Sequence, residues 1–233
     1  MPILQRDGTR IWYETYGRGP AILLTHGYSA TTNMWKPNID ALSKDHTLIL
    51  WDIRGHGQSG APDDPALYSR ELCMADMCAV LDASGHSTAT IGGLSLGGYL
   101  SLAFNVFHGD RVKGLLIFDT GPGYRNDAAR EDWNRMAVRT GAQQKSEGLR
   151  LAAEGILTQQ DSRILDSLPH VRVPALVLAG AKDTPFLKAT DYMASRIPGT
   201  HKVIIEGVGH TANIDQPDAF NRAVTTFLLD NGL

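Results

Sequence analysis

The chain has few cysteines, little net charge and no long apolar run. Its two cysteines, Cys73 and Cys78, lie on one predicted helix, where a step of about 100° per residue turns their side chains away from each other. We therefore expect a reduced, structural pair of thiols. No apolar run approaches the roughly 18 residues that indicate a transmembrane helix, so the sequence predicts no membrane partner.

Charge, histidine spacing and the first residues exclude further classes. Among the 233 residues, Lys and Arg number 22 against 25 for Asp and Glu, which gives a net charge of −3. No basic cluster suits a nucleic-acid backbone, so we expect no nucleic-acid partner. The 8 histidines show no metal-binding spacing, and we expect no metal. The first residues lack the basic and apolar segments of a secretory signal, which favours a cytoplasmic protein.

Apolar runs alternate with helical patterns along most of the chain. The turn signal Asp7-Gly8 predicts a hairpin of strands at 3–6 and 10–16. Further strands are predicted at 21–24, 47–51, 88–91, 114–118, 175–178 and 202–205, and helices at 70–83, 96–107, 187–196 and 217–231. Strands that are apolar along their whole length are typical of a parallel sheet buried on both faces. The sequence therefore predicts an α/β protein whose mostly parallel sheet has about eight strands, with helices on both faces.

The segment at 122–172 departs from this alternation. It contains two helical stripes of apolar residues, which are Trp133, Met136, Ala137 and Thr140, and then Leu149, Ala152, Ala153, Ile156 and Leu157. We interpret the segment as a short helical cap between two parts of the core, at 1–121 and 173–233. The cap helices either line a substrate pocket, with Trp133 and Met136 as candidate contacts, or only cover the core.

The strongest local signal is Gly93-Leu94-Ser95-Leu96-Gly97, which lies between a predicted strand and a predicted helix. This pattern is typical of a nucleophile elbow, a strained turn that requires neighbours without bulky side chains. The N–H groups at the start of the following helix favour negative charge that develops beside Ser95. A Gly-rich phosphate loop is the weaker alternative, because neither of its usual spacings is present.

Two residues further along the chain supply a general base and an acid. His210 follows the last predicted strand, and Asp183 follows the strand before it. A serine nucleophile needs a base, and the imidazole needs a carboxylate to fix its tautomer. The order Ser95, Asp183, His210, each after a strand, predicts a catalytic triad. Taken singly, His210 is explained as a loop histidine and Asp183 as a helix N-cap, and Asp119 competes for the acid role.

Two other loops follow predicted strands. In His26-Gly27-Tyr28 we expect the loop that completes an oxyanion hole, with the backbone N–H groups of Tyr28 and Leu96 as donors. His26 is a candidate pocket residue, although a structural role is favoured over catalysis. The turn from Asp52 to Ser59 is interpreted as a scaffold that other loops bond to.

With these residues identified, the chain resembles the α/β-hydrolase family, in the branch of small bacterial carboxylesterases and enol-lactonases. The resemblance covers nearly the whole chain and rests on the His26-Gly27 loop, the Asp52 turn, the Ser95 elbow, and the Asp183 and His210 loops. It implies a cofactor-independent hydrolase in which Ser95 is acylated and water activated by His210 releases the acyl group.

The resemblance leaves the reaction subtype open. We expect hydrolysis of small to medium carboxylic esters or lactones, with a small molecule as the only predicted partner. C–C bond hydrolases and cofactor-free perhydrolases use the same three side chains, and some relatives bind ligands without catalysis. Ser95 argues against haloalkane dehalogenases and epoxide hydrolases, because those relatives place aspartate at the elbow.

Overall fold

The computed structural model describes residues 3–233, and a central sheet of eight strands organises them. The strands are β1 (Ile3–Arg6), β2 (Thr9–Gly17), β3 (Ala21–Thr25), β4 (Thr47–Trp51), β5 (Ala89–Leu94), β6 (Val112–Phe118), β7 (Ala175–Gly180) and β8 (His201–Ile205). Their spatial order is β1-β2-β4-β3-β5-β6-β7-β8. β2 pairs antiparallel with both β1 and β4, and all other neighbours are parallel. The predicted hairpin at the antiparallel edge is confirmed.

Helices cover both faces of this sheet, as predicted. They are α1 (Ile39–Leu42), α2 (Arg70–Ala83), α3 (Leu96–Phe107), α4 (Asp127–Ala142), α5 (Glu147–Ala152), α6 (Arg163–Ser167), α7 (Thr184–Arg196), α8 (Ala212–Asp215) and α9 (Pro217–Asp230). Successive residues of each central strand point to opposite faces. Leu23 and Ile49 therefore join the core under α2, α3 and α7, while Leu24 and Leu50 join the core under α1, α8 and α9.

Several element boundaries differ from the prediction by one or two residues, and two differ by three residues, the end of β5 and the start of α7. β5 continues through Gly92 and Gly93 to Leu94. The two glycines carry no hydrophobic signal in the sequence, and they are glycine because the neighbouring chain leaves no room for a side chain. A Cβ on Gly92 would lie 2.6 Å from the Cβ of Leu116. α7 begins at Thr184, three residues before the predicted start, because Pro185 fits the first turn of a helix.

The segment at 122–172 contains three helices, α4, α5 and α6, where the sequence predicts two. The second predicted stripe ends in a wider turn, Ala153–Leu157, rather than in continuous α-helix. In this turn a Cβ on Gly155 would lie 2.1 Å from the carbonyl oxygen of Tyr68. Leu151, Ala152 and Ile156 are buried in the same core as α2 and α3. This part of the segment therefore covers the core.

Two features bear on the protein's surroundings. Cys73 is buried and Cys78 is half-buried, and both thiols are free. Burial raises the pKa of both thiols, so neither carries the low pKa of a reactive cysteine. Within residues 3–233, every helix is too short or too polar to cross a membrane.

Candidate active site

Ser95 lies at the turn between β5 and α3 with a backbone φ of 56° and ψ of −115°. Such a conformation costs a non-glycine residue about 1–3 kcal/mol and persists only where the surroundings impose it. The Ser95 N–H donates to the carbonyl of Phe118 at 2.9 Å, which ties the turn to β6. A Cβ on Gly97 would lie 2.0 Å from the carbonyl oxygen of Thr25. This turn therefore has the geometry of a nucleophile elbow.

Asp183 and His210 lie in direct contact. The Nδ1–H of His210 donates to Oδ2 of Asp183 at 2.7 Å. Asp183 occupies the N-cap position of α7 but makes no capping bond with its side chain, so its carboxylate is committed to the imidazole. The ring of Phe186 stacks on His210 with centroids 5.2 Å apart. These contacts fix the imidazole and leave Nε2 as an acceptor.

The loop after β3 runs beside Ser95. A Cβ on Gly27 would lie 3.5 Å from the Cβ of Ser95. The N–H of Tyr28 donates to no group among the described residues. Leu96 is the first residue of α3, so its N–H lacks an acceptor within the helix. Two free N–H groups beside a serine are what an oxyanion hole requires.

The turn after β4 supports these loops. Asp52 accepts the N–H of Thr32 at 2.7 Å and that of Gln58 at 2.8 Å. Arg54 makes a bidentate pair with Asp76 of α2, with both bonds at 2.8 Å and both side chains fully buried. The turn therefore links the sheet to the loop after β3 and to α2.

A cavity of about 240 Å³ opens beside the elbow. Its lining combines the nucleophile turn, the segment after β6, the cap segment and α7. The lining residues are Ser95, Leu96, Tyr99, Thr120, Gly121, Pro122, Gly123, Tyr124, Trp133, Leu157, Gln159, Pro185, Phe186, Lys188 and Ala189. Phe186 both lines this cavity and stacks on His210, whose ring is not itself among the lining residues.

Residues 20–137 match the family model of the alpha/beta hydrolase fold. The chain belongs to this family. It is 25% identical to 3-oxoadipate enol-lactonase 2 of Acinetobacter baylyi, over 91% of this chain and 90% of that one. Such relatives support hydrolase activity.

Two solved structures are similar along almost the whole length of the hydrolase. The enol-lactonase of Burkholderia xenovorans has a TM-score of 0.82 at 25% identity, covering 98% of this chain and 100% of its own. A thermophilic esterase of Thermogutta terrifontis has a TM-score of 0.85 at 26% identity, covering 98% and 96%. The family and its esterase and lactonase branch, expected from the sequence motifs, are confirmed.

A second carboxyl group lies beside the Asp183–His210 pair of the hydrolase. Asp119, directly after β6, is 1% exposed and has a positive φ of 46°. Its Oδ1 accepts the N–H of Gly180 at 2.9 Å. Ligating atoms of Asp119, Asp183 and His210 lie within 4.8 Å of one another, but Asp183 is the one bonded to the ring.

The surroundings of Asp119 favour its neutral, protonated form. Burial and the neighbouring Asp183 carboxylate raise the pKa of Asp119 to about 8. Its Oδ2 is buried without a hydrogen-bond partner. Two ionised carboxylates cannot bond to each other, so a bond between Asp119 and Asp183 requires a proton on one of them. A neutral Asp119 leaves one negative charge facing the imidazole.

The same three side chains form the one His, Cys, Asp and Glu cluster in residues 3–233 that is close enough to hold a metal ion. The His210 Nδ1 is already engaged with Asp183 at 2.7 Å, and a neutral Asp119 is a poor ligand. The arrangement suits proton transfer better than metal binding.

Two of the three candidate pocket residues, His26 and Met136, lie outside this cavity. His26 is fully buried, with Nδ1–H donating to the carbonyl of Gly27 at 2.7 Å and Nε2 accepting the N–H of Ile53 at 3.0 Å. Burial lowers the pKa of His26 to about 4, so the ring is a neutral structural link. Met136 is 40% exposed, because α4 buries the side of the predicted stripe that carries Ala137 and Met136 lies beyond its edge. Trp133 does line the cavity.

Sequence reasoning missed several cavity residues, among them Gln159, Phe186 and Lys188. Gln159 follows the wide turn after α5, where no periodic pattern exists. Lys188 and Phe186 lie on α7, whose first turn precedes the predicted helix. For Phe186 and Lys188, closeness in the sequence to Asp183 is the signal that could have identified them.

Proposed function

We propose that this hydrolase cleaves small to medium carboxylic esters or lactones through an acyl-enzyme on Ser95. The observation that carries the proposal is the 2.7 Å bond between His210 and Asp183, beside a cavity that Ser95 lines from a strained turn. The enol-lactonases and the esterase among the relatives support this class of bond.

In the first half of the proposed reaction, His210 Nε2 takes the proton of the Ser95 hydroxyl as its oxygen attacks the carbonyl carbon. The N–H groups of Tyr28 and Leu96 stabilise the oxyanion. Asp183 stabilises the imidazolium, which then protonates the leaving alcohol oxygen as its bond to the acyl carbon breaks.

In the second half, a water molecule attacks the acyl group and gives its proton to His210. The imidazolium returns that proton to the Ser95 oxygen, and the carboxylic acid leaves. No oxidant, reductant or cofactor is needed for this balance. We assign the wall over this site to a cap at 122–172, flanked by core parts at 1–121 and 173–233.

The test is hydrolysis of nitrophenyl esters from acetate to octanoate by the parent protein and by Ser95→Ala. Loss of the nucleophile is expected to lower kcat by at least about 10³-fold. Ser195→Ala is the matched control, because Ser195 is exposed on α7 and lies outside the cavity. Chain-length preference would report the size of the pocket.

An unchanged rate in Ser95→Ala would overturn the proposal. A fluorophosphonate probe, which labels activated serines, provides a second readout. Labelling of Ser95 without turnover of any ester would favour a C–C bond hydrolase or a perhydrolase. Neither labelling nor turnover would favour a ligand-binding protein.

A further inference from the structure

The loop that carries the Tyr28 N–H is held by very few hydrogen bonds. Within residues 3–233, the backbone N–H and carbonyl groups of Tyr28 and Ser29 bond to no other group. The one hydrogen bond that either residue makes in this range joins the Tyr28 hydroxyl to the carbonyl of Leu149 in α5, at 2.9 Å. The candidate oxyanion donor is therefore tied to a residue of the cap that lies 121 positions further along the chain.

The conformation of this loop is not one that its sequence favours. The carbonyl of Gly27 accepts the Ala30 N–H at 3.1 Å and closes a turn over these four residues. Tyr28 and Ser29 occupy the two central positions. Ser29 has a φ of 59°, in the left-handed region where turns usually place glycine or asparagine. Such a conformation persists only where its surroundings hold it, so contacts of the Tyr28 side chain matter for the whole turn.

The acceptor in the cap is itself fixed by contact with the core. Gly148 packs on the turn after β4, where a Cβ on this glycine would lie 3.0 Å from the Cα of Gly55. His56 of the same turn lies edge-on to the ring of Tyr28, with ring centroids 5.7 Å apart. Leu149 directly follows Gly148, so its carbonyl reaches the Tyr28 hydroxyl only while the start of α5 rests on this turn.

The turn also lies close enough to the nucleophile for small movements to matter. A Cβ on Gly27, directly before Tyr28, would lie 3.5 Å from the Cβ of Ser95. An oxyanion donor is effective only within about 2.7–3.1 Å of the oxygen that it stabilises. The N–H and the side chain of Tyr28 share one Cα atom, so a restraint on the hydroxyl also restrains the direction of the N–H.

We propose that the cap sets the geometry of the candidate oxyanion hole through the Tyr28 hydroxyl, whose bond to the Leu149 carbonyl positions the N–H of the same residue. The inference rests on the proposed function of Ser95. While α5 rests on the core, this bond holds the N–H towards the developing oxyanion. When α5 lifts, the bond breaks, the turn at 27–30 loses its restraint and the hole loses one of its two donors.

Tyr28→Phe removes the hydroxyl and keeps the ring. We expect kcat for nitrophenyl acetate to fall about 3- to 10-fold with KM unchanged, because the lost restraint acts on a bond made only in the transition state. Affinity for trifluoromethyl pentyl ketone, whose adduct with a serine places an oxyanion in the hole, is expected to fall by the same factor. Affinity for methyl pentyl ketone, which keeps its carbonyl form, is expected to stay within about 2-fold.

Tyr68→Phe is the matched control. The Tyr68 hydroxyl donates to the carbonyl of Pro62 at 2.9 Å, the same length as the Tyr28 bond. Tyr68 also packs against the cap, at Gly155. This variant is expected to keep kcat and both ketone affinities within about 2-fold of the parent. Equal losses in the two variants would mean a general loosening of the junction between cap and core, and would overturn the inference.

Gly148→Ala tests the coupling from the side of the cap. Its Cβ would lie 2.6 Å from the Cβ of Ala61, so the start of α5 must move away from the turn beneath it. This movement carries the Leu149 carbonyl away from Tyr28, and kcat is expected to fall as in Tyr28→Phe. In the double variant the second change is expected to cost less than about 2-fold, because the bond is already absent. Losses that multiply would show that the cap acts by another route.

Unchanged affinity for the trifluoromethyl ketone in Tyr28→Phe, or a loss that appears in KM alone, would overturn the inference. These measurements carry the test if Gly148→Ala does not fold. Ser95→Ala separates this failure from a failure of the proposed function. If Ser95→Ala abolishes turnover of nitrophenyl acetate while Tyr28→Phe matches the parent, only the coupling through Tyr28 is wrong. If Ser95→Ala has no effect, the proposed function and the coupling are both wrong.

Discussion

At the scale of single residues, Asp119 sets how much negative charge faces the candidate base. Asp183 and His210 are the titratable groups that face it, from the loops after β7 and β8. Two ionised carboxylates at this distance would repel each other in a buried site, where charge interactions are poorly screened. Protonation of Asp119 removes that repulsion and lets it donate to Asp183.

This protonation predicts a pH effect on stability. The pKa of Asp119 is raised to about 8 in the folded protein, whereas an unfolded aspartate titrates near 3.9. Between these values the folded state holds one more proton than the unfolded state, so stability falls as pH rises. Asp119→Asn removes this contribution. The fall of unfolding free energy with pH is then expected to be shallower by up to about 1.4 kcal/mol per pH unit.

Urea unfolding of the parent and of Asp119→Asn at pH 5, 6, 7 and 8 measures how the unfolding free energy of each depends on pH. Titrating groups remote from Asp119 are shared, so their contributions cancel, and the difference between the slopes reports Asp119 together with the two groups that face it, Asp183 and His210. Asparagine also keeps an acceptor for Gly180 N–H and a donor for Asp183, and kcat is expected to stay within about 10-fold. Parallel slopes would show that Asp119 is ionised in the folded protein.

At the scale of elements, the elbow depends on how closely β3, β5 and α3 approach. Gly97→Ala places a Cβ 2.0 Å from the carbonyl oxygen of Thr25. Because that atom belongs to the backbone of β3, the clash can be relieved only by moving β3 or α3. We expect a loss of about 1–3 kcal/mol in unfolding free energy, together with reduced ester turnover. Gly109→Ala is the control, because nothing lies within 4 Å of its added Cβ. Equal stability of the two variants would contradict this packing.

The elements of the sheet were predictable because buried parallel strands are apolar along their whole length. Leu23, Leu50 and Ile117 mark such strands in the sequence and are fully buried in the structure. The positions after strands also predicted which polar side chains meet, since carboxyl ends of parallel strands share one edge. Asp183 and His210 meet there at 2.7 Å.

The cap residues were less predictable for a physical reason. A helical stripe marks which residues share a face but not which element that face contacts. Trp133 and Met136 share a predicted stripe, yet the first lines the cavity and the second is 40% exposed. Gln159 is placed by the backbone clamp from Asn134, a contact between distant residues that leaves no periodic signal.

At the scale of the whole molecule, one buried ion pair joins the sheet, α2 and the cap segment. Arg54 bonds Asp76 with both partners fully buried, and it also donates to the carbonyl of Leu67 at 2.7 Å. The neighbouring Gly55 packs against the cap, where an added Cβ would lie 2.6 Å from the Gly148 carbonyl oxygen. The cap is therefore docked on a turn that the ion pair holds.

Removing one member of this pair is expected to destabilise the whole molecule. Asp76→Asn leaves the Arg54 guanidinium buried without a counter-charge, and we expect a loss of about 3–5 kcal/mol in urea unfolding. The double variant Arg54→Met with Asp76→Leu buries no charge and is expected to lose much less than the single variant. A double variant at least as unstable as Asp76→Asn would mean that the turn needs the specific geometry of the Arg54 bonds, and not only charge balance.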